Sequence, residues 1–422
     1  MVQNKKRLYI LLLLLFSALV TMIACEPDRG EDVTKQELDD GEMPEKPEEL
    51  IVWINDDDSG QGDALEIMKP YFDNYTEKTG IDIVLEIVPM PDQVQKLALA
   101  GPGGDGPDLF FQPQDRLGDV VAQGLAQPMT FTDEELGGYS EAAIDAFTYE
   151  GEVYGAPIAI ETYFTYYNKS IVEEVPTTIE DIYKMSLEFT NSDNDEYGFL
   201  ISPEFYYLYS FMNSHGGYIF GEEDGIYNVD DIGLNNDGSI KGLEEYLQFV
   251  NAGILPRTVT VDVLDGLFTE GKVGMVISGP WNISSYREAL GDDLGTAPLP
   301  KIGEQIAPSF VGVKSWLVSS YSKNAEWAVD LAKFLTNDES AELYHDITGE
   351  LPPRPVILEA VTDPIYTGHT QQIDHGISMP NIPEMSAIWD MDDAIQLIIN
   401  GEDIEDVLTE TVQNIKDKID LY

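Results

Sequence analysis

Five charged or aromatic residues recur at the ends of apolar runs in this chain. Asp57 follows the run 50–55, Asp115 and Arg116 follow 109–111, Glu161 follows 156–160, and Trp281 follows 274–277 through Ser278, Gly279 and Pro280. A carboxylate or a guanidinium can span two neighbouring hydroxyls. An indole covers the apolar face of a pyranose ring. Together these types suit a carbohydrate. Taken singly, each charged residue also reads as a solvated cap, and Trp281 as core. Their repetition at strand ends favours a site, because ligands of open α/β sheets lie at the carboxyl ends of the strands.

Other chemistry lacks its residues. Asn55, Asp57, Ser59, Gly60 and Glu66 fall at positions 1, 3, 5, 6 and 12 of a calcium loop. Position 1 is Asn, position 8 is Gly, and a strand rather than a helix precedes it, so calcium is not expected. Asn235 to Ser239 reads more simply as a turn, with Ser239 capping the next helix. His215, His345, His369 and His375 are scattered without ligand spacing. There is no cysteine pair, no phosphate loop and no Gly-x-Ser-x-Gly, so neither a metal nor a cofactor is expected.

The elements that must position the strand-end residues follow from periodicity. Residues 50–55 form an apolar run of strand length. A helical segment leads to Lys78 and is stopped by Gly80; Pro70 inside it is expected to kink or restart it. Residues 81–88 alternate as a second strand, 93–100 are helical, and 109–111 make a third strand after Gly-Pro-Gly-Gly at 101–104. That order implies parallel βαβ units. After Tyr154 the sense changes. Residues 156–160 and 164–167 read as extended and 274–277 as a buried strand. Helices are expected near 179–190, 204–214, 239–251, 262–270 and 325–335, and over 386–418 with a break near Gly401. No short repeat period is present, which excludes a solenoid.

The N-terminus carries a separate message. Lys5, Lys6 and Arg7 precede a greasy run from 8 to 20, and the one cysteine of the chain, Cys25, ends the segment. A basic start, a short apolar stretch and small residues before a cut site describe a secretory signal peptide over 1–24. A cysteine at that cut resembles the bacterial lipoprotein signal, in which the thiol receives a diacylglycerol. The alternative is an uncleaved anchor, for which 8–24 lies at the low end of the roughly 17–25 residues needed. Glu-Pro-Asp directly after Cys25 favours cleavage. Either way the body lies outside the cytoplasm, and one cysteine allows no internal disulfide.

Residues 25–49 are expected to be a disordered tether. Positions 26–49 hold 11 acidic and 3 basic residues, three prolines and almost no large apolar side chain. Treated as flexible coil, such a length reaches roughly 25–30 Å. The whole chain has a formal charge of −55 over 422 residues. That charge repels nucleic acid and anionic lipid surfaces and fits a surface solvated in a saline or alkaline medium. About 370 residues after the tether suggest two domains.

Ordered blocks along the body carry a resemblance. They are LIVWIN at 50–55, GDGPDLFF at 104–111 with DRLG at 115–118, APIAIE at 156–161 with YNK at 167–169, HGGYIF at 215–220, SGPW at 278–281, FVGV at 310–313 and MPNIPEMSAIW at 379–389. The chain resembles the extracellular solute-binding proteins of ABC importers, most closely those for maltose and maltodextrins, over nearly all of 50–415. The resemblance implies an α/β fold of two lobes with a hinge and an interlobe ligand cleft. It implies lobes of 50–157 plus 310–360 and of 162–305 plus 361–422. It also implies a lipid-anchored monomer at the outer face of the membrane of a Gram-positive bacterium, handing a maltodextrin-like oligosaccharide to the permease subunits.

By the same resemblance Asp57, Asp115, Arg116, Glu161, Glu204 and Tyr206 are polar contacts, Trp281 and Trp389 stacking platforms, and Met379 an apolar contact. Three positions depart from the pattern. Gln112 stands where the family has a stacking tryptophan, Asp58 where it has lysine, and Asp390 where it has tyrosine. The site is thus expected to lose two aromatic faces and gain acid, which points to a longer or cyclic glucan, or another oligosaccharide. A lipid-anchored glycoside hydrolase is the competing reading. It needs two carboxylates roughly 5–10 Å apart across one bond, and the two-lobe pattern argues against it.

Overall fold

The computed structural model describes residues 43–55, 64–223 and 226–420. The expectations at Cys25, Asp57 and Asp58, the apolar run 8–24 and most of the tether lie outside them. Residues from Glu45 onward form one unit; of the unit before it only Met43 and Pro44 are described. No helix among the described residues is long and apolar enough to cross a membrane.

The first element is β1 (Glu49–Ile54), whose Leu50, Val52, Trp53 and Ile54 are buried. It lies parallel to both β2 (Asp82–Ile87) and β3 (Leu109–Pro113), as the alternation of strand and helix implied. The crossovers are α1 (Ala64–Thr79) and α2 (Met90–Ala100). Pro70 does not restart α1, which runs through it.

The sequence order hides what comes next. β4 (Gly155–Thr162) and β9 (Ser309–Ser319) are antiparallel to each other, and β9 is also antiparallel to β3. β10 (Gly376–Ser378) then adds to β9 in parallel. With the short strand Ala126–Gln127 these make a seven-stranded sheet in which β9 is the hub. Apolar residues pack on both faces of this sheet. One layer holds Met68, Tyr71, Phe72 and Trp316 with α5 (Ala325–Leu335) and Tyr344 of α6 (Asp338–Thr348), and the other holds Trp53, Phe110, Leu117 and Phe147.

After Tyr163 the chain enters a second sheet. Its four strands are β5 (Phe164–Asn168), β6 (Tyr197–Leu200), β7 (Val273–Ser278) and β8 (Leu294–Ala297), in the order β8-β5-β7-β6. Its core takes in α3 (Phe205–Ser214), α4 (Val261–Thr269) and the C-terminal helices α7 (Met385–Ile388), α8 (Met391–Ile399) and α9 (Ile404–Ile419). The expected break near Gly401 is present; its φ of 108° is open to glycine at little cost. The helix Asp237–Asn251 is capped by Asn236, not by Ser239, which instead donates its backbone N–H to the Asn236 side chain.

Candidate functional site

The carboxyl ends of β3, β4, β7 and β10 converge on one cavity of about 670 Å³. Asp115 and Arg116 sit in the turn after β3, and Glu161 is the penultimate residue of β4 rather than a loop residue. Glu204 is the N-cap of α3, with Tyr206 in its first turn. Trp281 lies in the turn after β7, Met379 just after β10 and Trp389 just after α7. All of these line the cavity. They come from both sheets, so the site exists only when the two cores are assembled.

The two indoles are half-buried and held in different ways. Trp389 donates its Nε1–H to Asp115 Oδ2 at 3.0 Å, and Arg116 lies 5.8 Å from the same ring. Arg116 Nε is 3.5 Å from Asp115 Oδ2. Trp281 meets Tyr206 at 6.4 Å between ring centres. Behind Tyr206, Phe310 stacks on Tyr209 at 4.3 Å and 4°. This backing fixes ring orientation, which a stacking platform needs. The Tyr206 hydroxyl is buried with no hydrogen-bond partner among the described residues.

Burial governs the acids. It pushes the Asp115 carboxyl up, against Arg116 and the Trp389 N–H, and pushes Glu161 up, against the Lys314 ammonium. Glu204 and Asp392 are raised by desolvation too, and each negative neighbour adds to it. Asp392 accepts the Phe205 N–H at 2.7 Å and so holds the start of α3. Carboxylates desolvated in this way are ready acceptors for hydroxyl donors.

Gln112 does not reach the cavity. It is fully buried, and its Nε2 donates to Met90 O at 3.1 Å, so it secures the start of α2 beneath the wall. The aromatic edge on this side comes instead from its neighbour Phe111. Asp390 adds no acid to the cavity either: it pairs with Lys418, and the acid that lines the wall is Asp392. The helical turn places 392, not 390, toward α3. No histidine is among the described lining residues, and no described group of acids, histidines and cysteines could hold a metal.

Several lining residues escaped the sequence reading. Asp262 and Asp265 are three apart in α4 and so share one face. Asp265 accepts from Asn282 Nδ2 at 3.1 Å and from the Tyr286 hydroxyl. Lys314 is the one charged residue of β9; its charge within a mostly apolar run was visible in the sequence, but its approach to the cavity was not.

The family described as bacterial extracellular solute-binding protein matches residues 70–368. The chain belongs to this family. A galactooligosaccharide-binding protein from Bacillus subtilis (strain 168) is 33% identical, over 95% of this chain and 94% of its own. A maltooligosaccharide ABC transporter solute-binding lipoprotein from Streptococcus pneumoniae (strain ATCC BAA-255 / R6) is 28% identical, over 88% of this chain and 87% of its own. A solved cyclo/maltodextrin-binding protein complexed with maltotetraose is 36% identical, with a TM-score of 0.74 over 89% of this chain and 98% of that one. The solute-binding fold is mixed α/β and two-lobed, and the chain is a binding protein, not an enzyme.

Proposed function

We propose that this protein is the extracellular receptor of an ABC sugar importer and that it binds an oligosaccharide of α-linked glucose in the cavity between its two sheets. The observation that carries this reading is the pairing of two half-buried indoles, one of them anchored at its edge, with desolvated acids in one cavity of about 670 Å³. Sugar rings stack on Trp281 and Trp389, and their hydroxyls donate to Asp115, Glu161 and Glu204. Arg116 donates in turn, the Tyr206 hydroxyl gains the partner it lacks, and Met379 packs on the apolar edge. By the family resemblance Asp57, outside the described residues, is a further polar contact. Gln112 acts from underneath. The likeness to the maltotetraose complex supports the α-glucan. The 95% coverage of the galactooligosaccharide-binding relative favours a second reading, a galactooligosaccharide in the same cavity.

The lobes are 50–157 with 310–360 and 162–305 with 361–422. The separate cores support this division: one gathers 50–159 with 316–344, and the other mainly 163–307 with 365–419. Ligand touching both lobes favours their closure about the hinge, because only the closed form makes both sets of contacts. The closed monomer is then read by the permease. Cys25 carries the lipid that keeps it at the outer face of a Gram-positive cell membrane, a reading supported by the residues around Cys25 and by the relative named a lipoprotein.

Titration calorimetry with maltotriose to maltohexaose, cyclodextrins and β-1,4-galactooligosaccharides tests the ligand. Heat with the glucans alone is expected. Heat with the galactans alone transfers the reading to the second class, and silence with all three ends both.

A further inference from the structure

Lys314 is the one basic residue in β9, between Val313 and Ser315 at the centre of the sheet. Its Nζ lies 2.6 Å from Glu350 Oε1 and 3.1 Å from Glu161 Oε2. The three side chains are 10%, 0% and 9% exposed, respectively. Glu350 is fixed further: its other oxygen accepts the Tyr344 hydroxyl, and its N–H donates to Thr348 Oγ1 at 3.1 Å. Lys314 and Glu161 line the cavity and Glu350 does not. The ammonium also lies 5.4 Å from the Trp281 ring centre, beside the surface proposed to carry a sugar.

A buried ion cluster is a weak source of stability, and apolar replacement of such a cluster often stabilises a protein. Among the described residues two carboxylates share the one ammonium, which leaves a net negative charge. A cluster built only to hold the sheet together needs neither the excess acid nor the cavity. We propose that Lys314 is a further ligand-contacting residue, its ammonium and the Glu161 carboxylate engaging neighbouring hydroxyls of one sugar ring, and that Glu350 is the positioning residue that holds it at the wall. This rests on the oligosaccharide reading above.

The donor and acceptor stand side by side, 3.1 Å apart. One hydroxyl donates to Glu161 while its neighbour accepts from Lys314, so a vicinal diol is matched and a deoxy ring is not. Among the described residues the charged and titratable groups that bear on Glu161 are Lys314 from β9, Glu350 from the loop after α6, Asp115 from the turn after β3, and Tyr206 and Tyr207 from α3. Lys314 favours the ionised carboxylate, and Glu350 opposes it.

The test is titration calorimetry of the purified protein with maltotetraose, and with galactotetraose in parallel, from pH 4.5 to 8. Lys314→Met is expected to weaken binding by at least about tenfold and to move the acid limb of the affinity profile to higher pH. Glu350→Gln is expected to weaken it less and to move that limb to lower pH. Lys314→Arg keeps the charge and restores part of the affinity. A merely structural cluster would not shift the limb in opposite senses. If Lys314→Met does not fold, Glu350→Gln and Lys314→Arg decide alone. Folded variants that bind within twofold of the unsubstituted protein, with its pH profile, overturn the assignment. Silence of the unsubstituted protein with both sugars overturns the oligosaccharide reading itself.

Discussion

Trp281 and Trp389 belong to one cavity but are held differently. The Trp389 edge is tied to Asp115, whereas Trp281 rests against Tyr206 and leaves its indole N–H outside any described bond of that kind. Trp281→Ala is therefore expected to cost the ligand about 1–3 kcal/mol while the melting temperature changes little. Calorimetry with the bound sugar checks it, and unchanged affinity would place the ring in the core alone. His369 makes a second residue-scale prediction. It is fully buried, edge-on to Phe164 at 5.7 Å, and burial pushes its pKa down from 6.5 to about 4. A depressed base is a liability in acid: its stability is present above about pH 6.5 and is lost as pH falls from there toward 4. At pH 5 the loss is about 2 kcal/mol. His369→Leu should remove that part of the acid sensitivity. The comparison must be made with the parent, because Asp115 and Glu161, both raised, gain stability as pH falls. Denaturant unfolding at pH 7 and pH 5 measures the difference, and equal slopes for parent and variant would contradict it.

At the scale of elements, β9 and the segment 379–389 decide the site. Gly312 of β9 faces Glu161 across the ladder, and a Cβ there would lie 2.8 Å from the Met379 Cε. Gly118 is tighter: a Cβ would come within 2.2 Å of the Ile382 and Pro383 backbone. Its absence lets the segment bearing Met379 and Trp389 close on Asp115 and Arg116. Gly118→Ala must shift backbone, so it is expected to cost about 1–3 kcal/mol of stability and to weaken ligand binding by pulling Trp389 from Asp115. Thermal unfolding and calorimetry on one preparation test both effects; a variant as stable and as tight as the parent would rule out that role. These contacts explain why the site was only partly legible. Asp115, Glu161 and Trp281 stand at the ends of apolar runs and could be read directly, whereas Trp389 came only with the family resemblance. Lys314 and Asp392 could not, because their relevance depends on a strand pairing of residues about 200 apart and on the angular position of one residue in α8. Gln112 misled for the same reason. A strand residue points to one face or the other, and only the packed sheet says which face the cavity occupies.

Over the whole molecule, charge is the dominant global term. A formal charge of −55 opposes compaction through self-repulsion. Salt screens such repulsion over a Debye length of about 10 Å at 0.1 M and 3 Å at 1 M. The melting temperature is therefore expected to rise between 0.02 and 1 M NaCl, and a flat or falling curve from scanning calorimetry would show that local pairs have already offset it. Composition and periodicity were enough to determine the acidic balance, the α/β class and the βαβ start, and to suggest the residue types of the proposed sugar site, since each depends on composition or on local spacing along the chain. The antiparallel insertion of β9, the merging of two sheet ends into one cavity, and the choice of Lys314 and Asp392 over Gln112 and Asp390 were decided only by the tertiary structure. The physical reason is that these are long-range pairings. Their free energy is realised when β3, β4 and β9 desolvate together, and no window of the sequence contains all three.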